Sequence, residues 1–245
     1  MVVLTSLFMI IGLASVHLFS QNLRVLDGVP RSRFLSLAGG MAVSFVLLRL
    51  LPALSEGQEA IEETTDRGSF YFLKDHVYIV ALLSLVIFYG LERLAKGSRK
   101  RRREAGKEDT TSLKIFWLHI STFAVMNGLI GYLLLHNQER GLKTLLLFFI
   151  AMALKFIVND HGLHADHKEK YDRIGRWILA AAVLLGWGIR YLHRFPQLAP
   201  VLLQAFLAGG VLLNVLKEEL PEQRESRYWV FALGAIGYAL LLLAF

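Results

Sequence analysis

Asp160-His161-Gly162-Leu163-His164-Ala165-Asp166-His167 is the one dense cluster of metal-ligand residue types in this chain. If the helix that carries it continues, Asp160, His164 and His167 share one face, because residues spaced i, i+4 and i+7 stack along a helix. A carboxylate and two imidazoles, with His161 beside them, suit Zn²⁺ or another divalent cation. If Gly162 ends the helix instead, the tract is a polar loop with no fixed geometry. Both readings stay open at this level, and nothing in the sequence demands a cofactor. Cysteine is absent, which excludes disulfides and thiolate ligands.

Lys155 lies a few residues upstream, about a dozen residues into an apolar run and so roughly 18 Å from its start at 1.5 Å per residue. An ionisable group at that depth is costly and faces a bundle interior or a watery cavity. It either gains and loses a proton there, or is held by carbonyls, amides or a nearby carboxylate. His17, His119, Asn127 and Asn214 sit in other apolar runs. Such residues more commonly hydrogen-bond between helices than ligate. No residue set resembles a catalytic triad, a phosphate loop or a carboxylate pair, so no enzyme activity is expected.

The elements that must position these residues are membrane helices. Of 245 residues, 55% are hydrophobic and 19% charged, in repeated apolar windows of membrane-spanning length. The pattern predicts eight spans, near 2–20, 34–54, 71–92, 114–136, 143–162, 174–193, 200–217 and 228–245. The apolar start lacks a basic n-region and reads as a first span, not a signal peptide. The net charge of +7 sits in short connections without interleaved aromatics, which argues against nucleic acid as a partner. With both termini extracytoplasmic, 19 of the 27 Lys and Arg residues fall on cytoplasmic connections, so the positive-inside bias selects that orientation. The expectation is a multi-pass protein of the cell membrane, a single domain over 1–245 with a cytoplasmic basic loop at about 93–113. Within that loop Arg99-Lys100-Arg101-Arg102-Arg103 reads as a topology determinant beside anionic lipid. Glu56, Glu59, Glu62, Glu63 and Asp66 read as a solvated outer acidic loop, with a local field that would gather cations.

A short frame occurs twice. Leu37-Ala38-Gly39-Gly40 opens a run that closes on Leu51-Pro52, and Leu207-Ala208-Gly209-Gly210 opens one that closes on Leu220-Pro221. The first copy runs inward to outward and the second outward to inward, the pattern of an inverted repeat. The small residues of these frames, of Gly186-Trp187-Gly188 and of Gly234 to Gly237 are expected to permit close helix contact.

Eight spans, outer termini, a long loop after the third and related outer three-helix units resemble the Zrt/Irt-like (ZIP) metal transporters over most of the chain. Phe34 to Ala53, with Arg49-Leu50-Leu51-Pro52, is similar to that family's second helix, and Leu207 to Glu222 to its seventh. The resemblance implies an all-α bundle in which helices 1–3 and 6–8 form inverted units around helices 4 and 5. It also implies a small ion or solute as cargo.

The family's metal site is not reproduced. Its fourth helix carries His-Asn-x-Pro-Glu-Gly, where this chain has Phe123-Ala124-Val125-Met126-Asn127-Gly128. Its fifth carries His or Gln, three residues, then Glu-Gly, where this chain has Lys155-Phe156-Ile157-Val158-Asn159-Asp160. Arg49 stands where the second helix often has His. Asn127 and Asn159 offer carbonyl oxygens but no charge, and Lys155 would repel a dication. In this register Lys155 occupies the space of the family's ion, within reach of Asn127 or Asn159. The transport-path candidates are therefore Lys155, Asn127, Asn159, Arg49 and Asn214. Three functions follow: a divalent-cation carrier with an altered site, a non-transporting structural or regulatory relative, and a carrier of an anionic or polar solute. The lipid bilayer is the expected partner, and a homodimer is compatible with the sequence.

Overall fold

The computed structural model describes residues 2–19, 33–64, 76–106, 110–138, 141–193, 195, 198–219 and 227–244. These are helical almost throughout, without strands, and form eight helical segments. In chain order the helices are α1 (Val2–Leu18), α2 (Arg33–Phe45), α3 (Leu51–Thr64), α4 (His76–Glu104), α5 (Leu113–Gln138), α6 (Leu142–His167), α7 (Arg176–Leu192), α8 (Leu198–Glu219) and α9 (Tyr228–Ala244). Helices α2 and α3 form one continuous segment through a π-turn at Val46–Leu50. Four segments are long and apolar enough to cross a membrane: Arg33–Glu59, Val77–Glu104, Leu113–Asn137 and Leu142–His167. Shorter apolar helices cover Leu4–Leu18, Ala199–Leu213 and Tyr228–Ala244. The chain is accordingly read as a membrane protein. The apolar side chains of Trp229, Leu233, Ile236 and Leu240 are exposed along one stripe of α9, as lipid contact requires.

Helix ends depart from the hydropathy boundaries where polar residues continue the helix. The expected basic loop is helical as far as Glu104, with Glu92–Lys96 and Lys100–Glu104 pairs one turn apart. Arg101, Arg102 and Arg103 fall in the last turn, where cations complement the helix dipole. Gly106, at φ +66°, follows. The expected outer acidic loop is likewise helical over Glu56, Glu59, Glu62 and Glu63, all within α3, whereas Asp66 lies outside the described residues. Hydropathy marks where the apolar face stops, not where backbone hydrogen bonding stops. The π-turn before α3 has a local cause: Pro52 has no N–H, and its ring crowds the carbonyl four residues back. The backbone widens there, with Leu51 N–H donating to the Val46 carbonyl.

The chain divides into two compact units, a division that no linker composition announces. Unit 1 comprises Met1–Asp27 and Tyr89–His193, and unit 2 comprises Gly28–Phe88 and Arg194–Phe245. Unit 1 is held by α5 against α7, where the backbones approach until no side chain fits between them. A Cβ on Gly131 would overlap the Val183 carbonyl, and one on Gly186 would overlap the Gly128 backbone. Unit 2 is held in the same way by α2 against α9. A Cβ on Gly40 would meet the Phe231 carbonyl, and one on Gly234 the Leu37 carbonyl. Ser44 Oγ donates to the Ala235 carbonyl at 2.6 Å in the same seam. Gly209 of the second repeat frame lies against the Ala81 carbonyl of α4. Gly188 and Gly237, also expected to serve close contact, have no neighbour that a Cβ would meet, so only one glycine of each pair does so.

Candidate functional site

The polar residues of unit 1 converge where α1, α5 and α6 meet. Helix α1 is largely apolar, with Thr5, Ser6 and Ser15 as its hydroxyl residues and His17 as its one titratable side chain. The α6 register places Lys155, Phe156, Asn159, Asp160 and Leu163 on its buried face. Asp160 is 0% exposed, His17 and Asn127 1%, Lys155 6% and Asn159 9%. Lys155 is thus inside the unit and does not snorkel to a surface.

His17 organises the cluster. Its Nδ1 donates to both Asp160 carboxylate oxygens, at 3.0 and 2.9 Å. On the other side of the ring, Asn127 Nδ2 donates to Nε2 at 3.0 Å. The Phe156 ring lies against the imidazole, centroid to centroid 4.3 Å. These bonds define a neutral imidazole with its proton on Nδ1 and its lone pair on Nε2 already used. Lys155 lies five residues before Asp160 on the same helix and is likewise buried. Asn127 Oδ1 is buried and accepts no hydrogen bond from the described residues.

A second polar cluster lies two turns along the same pair of helices. His119 of α5 and His167 of α6 face each other with Nδ1 and Nε2 3.0 Å apart, and both are buried. Thr111 Oγ1 is 2.5 Å from His167 Nδ1. One imidazole must donate to the other, and the hydroxyl can close the chain in either sense, so the row Thr111–His167–His119 can hold a mobile proton. Thr111 N–H also donates to the Asp166 carbonyl at 3.0 Å, and Arg99 Nη1 to the Asp166 carboxylate at 2.8 Å.

The metal-ligand tract of the sequence is therefore distributed among several partners. Helix α6 continues through Gly162 to His167. Asp160 is taken by His17, His164 lies 3.0 Å from Asp172, His167 pairs with His119, and Asp166 pairs with Arg99. His161 is part-buried on α6. Among the described residues no three His, Asp or Glu side chains are grouped so as to hold a metal ion. The inward face carries Asp160, Leu163 and His167, spaced i, i+3 and i+7, so an apolar residue takes the position that a third ligand would need. Of the other candidates, Asn127 bonds to His17 and Asn159 shares the buried α6 face with Lys155. Arg49 is part-buried in the π-turn of unit 2. Asn214 lies in α8, with its side chain outside the described residues.

The residue that sequence reasoning underrated is His17. A titratable group within an otherwise apolar span was the available signal. Its partner Asp160 is 143 positions away, a distance that no local pattern bridges. Compared with known families, curated proteins and solved structures, the chain has no match.

Proposed function

We propose that this chain is a multi-pass membrane carrier of ZIP-like architecture that moves a small cation through the Asp160 site. Metal cations are the nearest cargo to name. The observation that carries this reading is the burial of Asp160, Lys155 and His17 around one helix of membrane-spanning length. Ionisable groups at such depth mark ion paths, because their desolvation cost is not recovered by packing alone. The proposed inverted repeat draws support from how the close contacts pair within each unit. If helix 1 corresponds to 6, 2 to 7, 3 to 8 and 4 to 5, both members of the pairs 1–6, 2–7 and 4–5 fall in the same unit, and the first half of the third helix, as far as Phe88, falls in the unit of the eighth. In unit 2 the seam of Gly40 on the eighth helix then corresponds to that of Gly209 on the third. In unit 1 the seam of Gly131 on the sixth corresponds to Gly12 of α1 against Phe149 of the fifth.

Reconstitution tests the reading. Cation uptake into liposomes should be carried by the wild type and fall to background in Asp160→Asn. A second reading, a non-transporting relative, is favoured by the closed pairing of His17 with Asp160, and inert wild-type liposomes would select it. Both termini are proposed to be extracytoplasmic. A cysteine at position 101 should then react only with permeant reagents in intact cells, and labelling by an impermeant maleimide from outside would reverse the orientation.

A further inference from the structure

We infer that the His119–His167 pair is an acid-released latch, holding the α4–α5 connection and the start of α5 against the end of α6. The inference adds a pH-sensitive closure to the carrier reading and does not depend on what is carried.

Connections run over a surface, because their backbone groups need water. This one turns two threonines inward: Thr110 is 5% exposed and Thr111 1%. Thr111 N–H donates to the Asp166 carbonyl at 3.0 Å, and its Oγ1 lies 2.5 Å from His167 Nδ1. His167 is the last residue of α6, and its Nε2 lies 3.0 Å from His119 Nδ1 on α5. Arg99 Nη1 of α4 holds the neighbouring Asp166 carboxylate at 2.8 Å. Lys168 follows at φ +48°, a conformation that costs a non-glycine residue free energy and persists where surrounding contacts impose it. Leu163 lies between His167 and Asp160 on the buried face of α6, so the latch closes the end of the helix that leads to that carboxylate.

The fastening depends on proton count. Two neutral rings share one N–H across the 3.0 Å gap, and either ring serves as its donor. One added proton leaves the pair intact, since an imidazolium donates to a neutral imidazole. A second puts an N–H on both facing nitrogens, and the gap then holds two donors and no acceptor. Two buried imidazolium rings also repel at that separation. Thr111 precedes α5 closely and moves with it, so parting the rings draws Thr111 off Asp166 as well. The surrounding carboxylates already have partners: Asp166 is bonded to Arg99, Asp172 faces His164 at 3.0 Å, and Glu169 meets Arg173 at 3.4 Å. Lys168 and Lys170 stand just past His167, Lys114 of α5 is exposed, and Tyr171 of the π-turn is buried. From α5 the rings also meet the uncharged edges of Phe116 and Phe123.

Hydrogen exchange of the Thr111 amide, in the full chain in nanodiscs, reads the latch. After correction for the intrinsic pH dependence of exchange, wild-type protection should fall by roughly tenfold or more between about pH 7.5 and about pH 5, more steeply than one proton explains. The Gly131 amide in the α5–α7 seam should keep its protection. His119→Asn puts an amide where Nδ1 stands. Its nitrogen donates to neutral His167 and its oxygen accepts from protonated His167, so the acid response should vanish. His119→Gln replaces it should the Asn variant fail to fold. Constant wild-type protection, an acid loss shared by Gly131, or an equal loss in the folded His119 variant would overturn the latch. Absent cation uptake with the acid response intact would remove the carrier reading alone.

Discussion

Asp160→Ala should destabilise the protein more than any other single change within the α1–α5–α6 cluster, by about 3–5 kcal/mol, the scale for removing one partner of a buried pair. The substitution strips the buried His17 of both acceptor oxygens and removes a carboxylate that is fully buried. His17→Ala should cost about 1–3 kcal/mol, the scale for leaving a buried polar group without its hydrogen-bond partner. Combining Asp160→Ala with Lys155→Met should recover most of the loss, since an apolar pair carries no desolvation penalty. Thermal unfolding of the four proteins in one detergent measures the pattern. Equal losses in the single and double variants would mean that Lys155 and Asp160 are not coupled.

The second large effect lies in the α5–α7 seam. Gly186→Val should abolish or severely weaken folding, and Gly131→Ala should already cost about 1–3 kcal/mol, the range for overpacking a filled core. A Cβ at either position meets backbone atoms of the partner helix, which no rotamer change can relieve. The control is two residues away on the same helix. Gly188 has nothing within 4 Å of an added Cβ, so Gly188→Ala should be neutral or stabilise by about 0.5–1 kcal/mol, the helix-propensity gain. Melting temperatures of the three variants separate the cases, and a Gly186→Val protein that melts like wild type would refute the seam.

These residues also show how far sequence alone carries. The eight apolar runs were legible because hydropathy over a span reports its need for an apolar surround, and each coincides with a described helix. Their ends were less so: α4 continues to Glu104 and α3 to Thr64, since helical hydrogen bonding outlasts the apolar face. Which of two neighbouring glycines is packed was not legible, because it depends on the rotation of one helix about its axis. Lys155 and Asn127 could be singled out as buried polar groups in apolar runs. That Asn127 pairs with His17 could not be assigned, as the contact joins two helices 110 positions apart. The Asp160–His167 tract makes a ligand face only if the helix continues through Gly162; α6 does continue, but its rotation puts Leu163 inward and turns His164 to Asp172. Ligand types adjacent in sequence need not converge in space.

The most direct test of the site is the protonation pattern of the His17 ring, read by ¹⁵N spectroscopy on histidine-labelled protein in lipid, with the signal assigned through His17→Gln. The arrangement predicts one slowly exchanging neutral tautomer, protonated at Nδ1 and bare at Nε2, perturbed at Nδ1 by Asp160→Asn and at Nε2 by Asn127→Ala. A ring protonated at Nε2 instead, or one averaging with water like the exposed His193, would contradict a buried Asp160–His17–Asn127 site.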